Sequence, residues 1–204
     1  MVNPPLNFTL EKRIKADHPF LTQEKGLDIK IINKFGLGYC FKGMMAGRIV
    51  IPIHNVKGEI VAYAGRAVKQ HDEESRGKYI FPSGFFKSVE LFNFHQVAGK
   101  KKLLREYGLI IVEGFFDAIK LVSLNYPNVV ALMGSTLSET QEKLIFSLTD
   151  KILLFLDNDE AGIKATQEIH QRLLHKAFVK IAQYPAGEKF QPEDFSKEEL
   201  QGLL

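Results

Sequence analysis

The residues best placed to do chemistry are four carboxylates. Glu113 directly follows the apolar run Leu109-Ile110-Ile111-Val112, Gly114 comes next, and Asp117 lies four positions on from Glu113. Asp157 and Asp159 follow a second apolar run over 152–156, with Ala161-Gly162 just beyond. An i, i+4 spacing brings Asp117 near Glu113 if a helix starts between them. An i, i+2 spacing points Asp157 and Asp159 the same way along an extended segment. Carboxylates gathered in this way repel: two like charges about 4 Å apart cost roughly 4 kcal/mol at an effective dielectric near 20. A hard divalent cation removes the conflict. Mg²⁺ takes oxygen ligands, keeps several waters and bridges to substrate phosphates, and a metal so held can lower the pKa of an attacking hydroxyl. Taken singly, each acid has a plainer role: Asp157 or Asp159 as a helix N-cap, Glu113 as a first-turn acid. Taken as a set at strand ends, they fit a metal site better.

These acids need strands to present them. From residue 109 onward, apolar runs over 109–112, 128–132, 151–156 and, more weakly, 178–183 alternate with helical patterns near 115–124, 138–147 and 160–176. Such alternation predicts a parallel sheet covered on both faces, and ligands of such sheets bind beyond the carboxyl ends of the strands. The chain before residue 109 reads differently. Residues 1–20 contain Pro4, Pro5 and Pro19 and are expected to form an irregular arm. The spacing over 27–35 predicts a helix stopped by Gly36. The β-rich runs 48–53 and 60–64 flank Asn55-Val56-Lys57-Gly58 and predict a hairpin. Residues 68–78 read as a loop, and short strands are expected at 78–81 and 90–92.

Charge follows the same division. Residues 1–108 carry 18 Lys+Arg against 10 Asp+Glu, whereas residues 109–204 carry 9 against 14. A basic lobe joined to an acidic one suits a polyanion on one side and cations on the other, although solvated surfaces alone also produce such a split. The single cysteine, Cys40, excludes an internal disulfide and a cysteine-based zinc site. No apolar run approaches membrane-spanning length, and the first residues lack a signal-peptide pattern. A cytoplasmic protein with no membrane partner is the expectation.

The segments Ile111-Val112-Glu113-Gly114-Phe115-Phe116-Asp117 and Leu156-Asp157-Asn158-Asp159-Glu160-Ala161-Gly162 resemble the TOPRIM domain, a metal-binding module of bacterial primases, topoisomerases and some nucleases. The stretch Val129-Val130-Ala131-Leu132-Met133-Gly134-Ser135 fits its middle strand. Upstream, Lys34-Phe35-Gly36-Leu37-Gly38-Tyr39, Gly47-Arg48-Ile49-Val50-Ile51-Pro52-Ile53, Gly58, Gly65-Arg66, Lys78-Tyr79, Lys87 and Leu91-Phe92-Asn93 resemble the basic lobe that precedes TOPRIM in bacterial DNA primase cores.

The resemblance implies a mostly parallel α/β TOPRIM fold with a smaller α+β basic lobe. It divides the chain into an arm (1–20), the basic lobe (21–106), the TOPRIM domain (107–186) and a tail (187–204). It makes Glu113, Asp157 and Asp159 catalytic metal ligands with Asp117 in support, holding Mg²⁺ or Mn²⁺ and no zinc. Arg66, Lys78, Tyr79 and Lys87, and more weakly Arg48, would hold template or nucleotide phosphates. The implied activity is metal-dependent nucleotidyl transfer, primer synthesis from NTPs on single-stranded DNA in replication. A helicase or other replication protein is a further possible partner. A TOPRIM nuclease and a non-catalytic nucleic-acid-binding accessory of a replication or mobile-element system stay open.

Three departures accompany the resemblance. The zinc ribbon of primases is not expected in a chain with one cysteine. The helical bundle and helicase-binding domain that complete a primase are expected to be absent. The late Asp-Pro-Asp of primases reads Gln191-Pro192-Glu193 here, which implies an altered outer metal site with Glu193 as a partial substitute.

Overall fold

The computed structural model describes residues 2–184 and 190–203. Two compact units result, Met1–Phe86 and Lys87–Leu204.

The first unit is built on an antiparallel sheet in the order β1 (Ile14–Lys15), β2 (Gly38–Cys40), β3 (Arg48–His54), β4 (Ile60–Ala67), β5 (Tyr79–Ile80). The hairpin β3–β4 forms where expected. Its turn is set by Asn55, whose side-chain oxygen accepts the amides of Lys57 and Glu59, and by Gly58 at φ +82°. Strand β3 is buried along its length up to His54, so from Ile49 to Ile53 its sequence is an unbroken apolar run rather than an alternation. One face of the sheet buries Leu10, Cys40, Met45, Val50 and Tyr63 together. Helix α1 (Ile29–Phe35) starts at Asp28, whose carboxylate accepts the Lys30 amide, and stops at Gly36 in the left-handed region.

Two expectations for this unit need correction. The arm is not wholly irregular, because Ile14–Lys15 adds an edge strand to β2 and Leu10 is buried. The polar segment 68–78 is not a loop: Gln70–Arg76 forms helix α2 with no buried residue, so no apolar stripe announced it.

The second unit carries a four-stranded parallel sheet in the order β7 (Val129–Ala131), β6 (Leu109–Val112), β8 (Lys151–Leu154), β9 (Phe178–Ile181). Helices α3 (Phe94–Ala98) and α4 (Lys101–Tyr107) precede it, and α5 (Phe115–Ser123), α6 (Glu139–Leu148) and α7 (Glu160–Leu173) connect its strands. Helix α8 (Lys197–Leu203) closes the chain. The alternation read from the sequence is therefore observed.

Leu91, Phe94, Val97 and Leu104 share one buried cluster with Ile111, Leu154 and Leu173. Residues 87–106 thus pack with the parallel sheet, and the unit boundary falls before them rather than at 106. The expected strand 90–92 is reduced to a single antiparallel bridge, Phe92 to Ala131. The expected boundary at 186 lies outside the described residues. Among the described residues no helix is long and apolar enough to cross a membrane.

Candidate active site

In the second unit the order β7-β6-β8-β9 makes β6 and β8 neighbours, although a strand and two helices separate them in sequence. The chain passes from β6 to β7 on one side and then crosses to β8 on the other, which places a switch point at the carboxyl ends of β6 and β8. Glu113 and Asp157 stand at those two ends.

Glu113 is partly buried, and its Oε1 is buried with no hydrogen-bond partner. Burial first, and the neighbouring Asp157 charge second, push its carboxyl up to about 7, against an amide hydrogen bond from Asp157 that lowers it. Gly114 then caps α5. Its amide donates to Asp117 Oδ2 at 2.9 Å, and Asp117 Oδ1 accepts the Glu193 amide at 3.2 Å. Asp117 is only 5% exposed, and burial, followed by the charges of Asp157 and Glu193, raises it to about 8. Asp159 is the N-cap of α7 and accepts the Gly162 amide at 2.9 Å. The cap role is therefore real for Asp159.

Gly162 permits the close approach of these groups. A Cβ there would lie 2.1 Å from the Asp157 carbonyl oxygen and 2.8 Å from Glu113 Oε1. Only a hydrogen fits between the turn after β8 and the Glu113 carboxylate. Gly114 has a similar constraint, with a Cβ 2.7 Å from Asp117 Oδ2.

The segment around Gln191 packs against these acids. Gln191 Nε2 donates to Asp157 Oδ2 at 3.1 Å, and the Asn158 amide donates to the Phe190 carbonyl at 2.9 Å. Rings of Phe155, Tyr184, Phe190 and Phe195 pack with centroids 5.3 to 6.5 Å apart. The Tyr184 hydroxyl donates to the Leu156 carbonyl. Burial and the charges of Asp157, Asp117, Glu113 and Asp194 push its ionisation far up, which keeps it a neutral donor. Tyr184 had no signal in the sequence, since a lone tyrosine after a weak strand is ordinary.

Among the described residues no three His, Cys, Asp or Glu side chains converge as a ready-made metal cage. A site of the Mg²⁺ type does not require one, because that ion is held by one or two carboxylates and completes its shell with water and phosphate. The orphaned, buried Oε1 of Glu113 and the all-oxygen donor set fit a hard divalent cation.

Lys87 also belongs to this unit. Its Nζ donates to the Met133 carbonyl at 3.2 Å, just after β7, so it stands at the carboxyl edge of the same sheet.

The other predicted phosphate-binding residues lie in the first unit. Arg66 and Tyr79 are register partners on β4 and β5. The Arg66 guanidinium lies 5.6 Å from the Tyr79 ring centroid and 5.7 Å from that of Phe20, and it pairs with Glu73 at 3.0 Å. Lys78 is exposed beside them. Arg48 is a correction. It is 1% exposed, and its guanidinium donates to the carbonyls of Gly65, Gly77 and Asp72 at 3.1, 2.9 and 2.8 Å. Arg48 holds the α2 segment to the sheet and is not available to a phosphate.

Family models match both units: residues 110–195 match "Toprim-like", and residues 43–98 match "DNA primase catalytic core, N-terminal domain". A DNA primase of Staphylococcus aureus is 33% identical over 177 residues, which cover 83% of this chain and 29% of that protein. The zinc-binding and RNA polymerase domains of the Aquifex aeolicus primase superpose with a TM-score of 0.75 and 28% identity, covering 96% of this chain and 56% of that structure. A DnaG primase catalytic domain bound to single-stranded DNA matches at a TM-score of 0.71 and 18% identity, over 89% of this chain and 68% of that one. The chain spans less than half the length of the curated primases, 43% for that of A. aeolicus and 29% for that of S. aureus.

A parallel sheet with an acidic residue and glycine after one strand and Asp-x-Asp after its neighbour is the arrangement of a TOPRIM-type fold, and residues 110–195 of this chain match that family's model. With the antiparallel unit ahead of it, the chain resembles the catalytic core of bacterial DNA primase.

Proposed function

We propose that this chain is a primase-type nucleotidyltransferase that builds primers from NTPs on single-stranded DNA with Mg²⁺ or Mn²⁺. The observation that carries the reading is Glu113 Oε1, buried without a hydrogen-bond partner at the end of β6, beside Asp157 at the end of β8. An ionised carboxylate kept so is costly unless a cation joins it.

Glu113 and Asp157 would hold the metal, with Asp159 beside them. Asp117 is the supporting acid: two amides fix its oxygens, so it adds negative charge and holds the start of α5 in place. When bound, the metal supplies charge neutralisation on NTP phosphates and activation of a primer 3′-hydroxyl. The protein's part is positioning and a preset electrostatic field, which carry most of the rate in phosphoryl chemistry. Arg66, Lys78 and Lys87 are the cations offered to phosphates, and the partly buried Tyr79 would offer a ring for stacking. The likeness to a primase catalytic domain bound to single-stranded DNA supports that substrate.

The test is a Mg²⁺- or Mn²⁺-dependent assay on single-stranded DNA with labelled NTPs, and in parallel a labelled strand. Oligonucleotide products that vanish in Glu113→Gln are the expected result. Strand cleavage without synthesis would replace the reading with a nuclease, and neither product would replace it with a binding accessory.

A further inference from the structure

Outside the residues already assigned, the first unit exposes an apolar pair where a solvated loop would ordinarily be polar. Phe41 is 52% exposed and Met44 is 63% exposed, both in the loop 41–47 after β2. This loop is held firmly. The Phe41 amide donates to the Arg13 carbonyl at 3.2 Å, Ala46 to Gly43 at 3.0 Å and Gly47 to Cys40 at 2.8 Å. Gly43 and Gly47 take the left-handed backbone that the turns require, and Met45 is buried in the core beneath. The exposure of Phe41 and Met44 is therefore built into a fixed backbone.

Two guanidinium groups bracket the loop. Arg76 Nη2 donates to the Met44 carbonyl at 3.4 Å. Arg13 Nη1 lies 3.8 Å from where a Gly43 Cβ would be. Lys42 projects from the loop itself, and Arg13, Lys42 and Arg76 are all exposed. Glu11 is the one acid on the short helix that carries Arg13.

We infer that the 41–44 loop is a stacking platform for single-stranded DNA. Phe41 and Met44 present the apolar surface to a base, and Arg13, Lys42 and Arg76 meet the flanking phosphates. A π-face is common to every base, so such a platform is sequence-tolerant, and a cationic border tracks the backbone. The cationic rim selects a polyanion over an apolar protein surface as the occupant. The inference rests on the primase-type reading, and it extends the strand path to residues that the sequence motifs do not include.

The test is fluorescence anisotropy of the full chain with a labelled oligo(dT), over a series of salt concentrations. Phe41→Ala is expected to weaken binding by roughly fivefold or more, the scale of one lost base stack, with the salt slope unchanged. Arg13→Gln with Arg76→Gln is expected to flatten the slope by about 0.7 for each lost phosphate contact. Val56→Ala removes a comparably exposed apolar group, 45% exposed, from the β3–β4 turn and is expected to bind as the parent does. Because Phe41 is exposed, its variant should keep the parent's melting temperature, which checks the fold. A parent that binds DNA while Phe41→Ala and Met44→Ala bind equally well overturns the platform alone. A parent that binds no strand overturns the primase-type reading and the platform with it.

Discussion

The two Gly-Arg pairs of the first unit look alike in sequence but send their guanidinium groups to different partners, whereas Glu113 and Asp157 of the second unit stand at neighbouring strand ends, as their positions after apolar runs suggest. Gly47-Arg48 and Gly65-Arg66 both join a glycine to an arginine on adjacent strands. Arg48 pairs with Ala67 and Arg66 with Ile49, so the two arginines occupy neighbouring rungs and project to opposite faces. One guanidinium is buried and spent on three carbonyls. The other keeps 12% of its side chain exposed and pairs with a glutamate that is 44% exposed. In the parallel sheet, by contrast, topology alone brings strand ends together. A residue that follows a strand is at the functional edge whatever the packing around it.

That difference can be broken open by substitution. The largest expected effect is on activity: Glu113→Gln should reduce metal-dependent turnover by about a hundredfold or more, with a melting temperature equal to or above the parent's, because it removes a buried charge. Steady-state product formation and thermal melts measure both. Next, Arg48→Ala should destabilise the chain by about 3 kcal/mol, since it strands buried carbonyls and leaves a cavity, whereas Arg66→Ala should cost about 1–2 kcal/mol through lost ring packing and the Glu73 pair and weaken strand binding. Paired urea melts and anisotropy titrations separate the two. A result in which both arginines cost the same stability would contradict the distinction.

Gly162→Ala comes third. The added Cβ meets backbone at 2.1 Å, so the start of α7 must move, at about 1–3 kcal/mol and with loss of metal-dependent activity. Urea melts and the synthesis assay report it.

The smallest effect concerns a structural acid in the same unit. Glu142 is buried on α6 and bonded to Arg172 at 2.5 Å and Lys176 at 2.7 Å. Burial alone would raise its carboxyl, but hydrogen bonds from Lys176 and Arg172 outweigh that and hold it below the usual range. A carboxyl lowered in the folded state stabilises the fold above its unfolded pKa, and that contribution is lost as pH falls through the lowered value. Because both cations are partly exposed, Glu142→Gln should cost only about 1–2 kcal/mol at neutral pH. Its deficit should shrink as the medium is acidified below about pH 4. Melting both proteins across that range is the check.

That Glu113 and Asp157 follow neighbouring strands was legible because the signal is local: an apolar run and then an acid. Gln191 also stood out as a departure, and its amide is indeed bonded to Asp157. What was not legible depends on which face a side chain takes or on chain segments far apart. Helix α2 has no buried residue and so no apolar period. Leu91 is apolar because it packs in the core of the parallel-sheet unit, not because it lies on a strand. Tyr184 owes its place to an aromatic cluster assembled from three separate segments. Residues 87–106 are basic in part, yet their apolar positions belong to the acidic unit, so the boundary expected at 106 falls inside that unit.

The central claim is that the ends of β6 and β8 form one metal site. The most direct measurement is Mn²⁺ titration of the full chain followed by electron paramagnetic resonance, comparing the parent with Glu113→Gln and Asp157→Asn. Losing an outer-shell partner of a metal ligand already costs ten- to a hundredfold in affinity, so each of these variants should bind at least about tenfold more weakly. Equal affinity in all three proteins, or no binding by the parent, would contradict it.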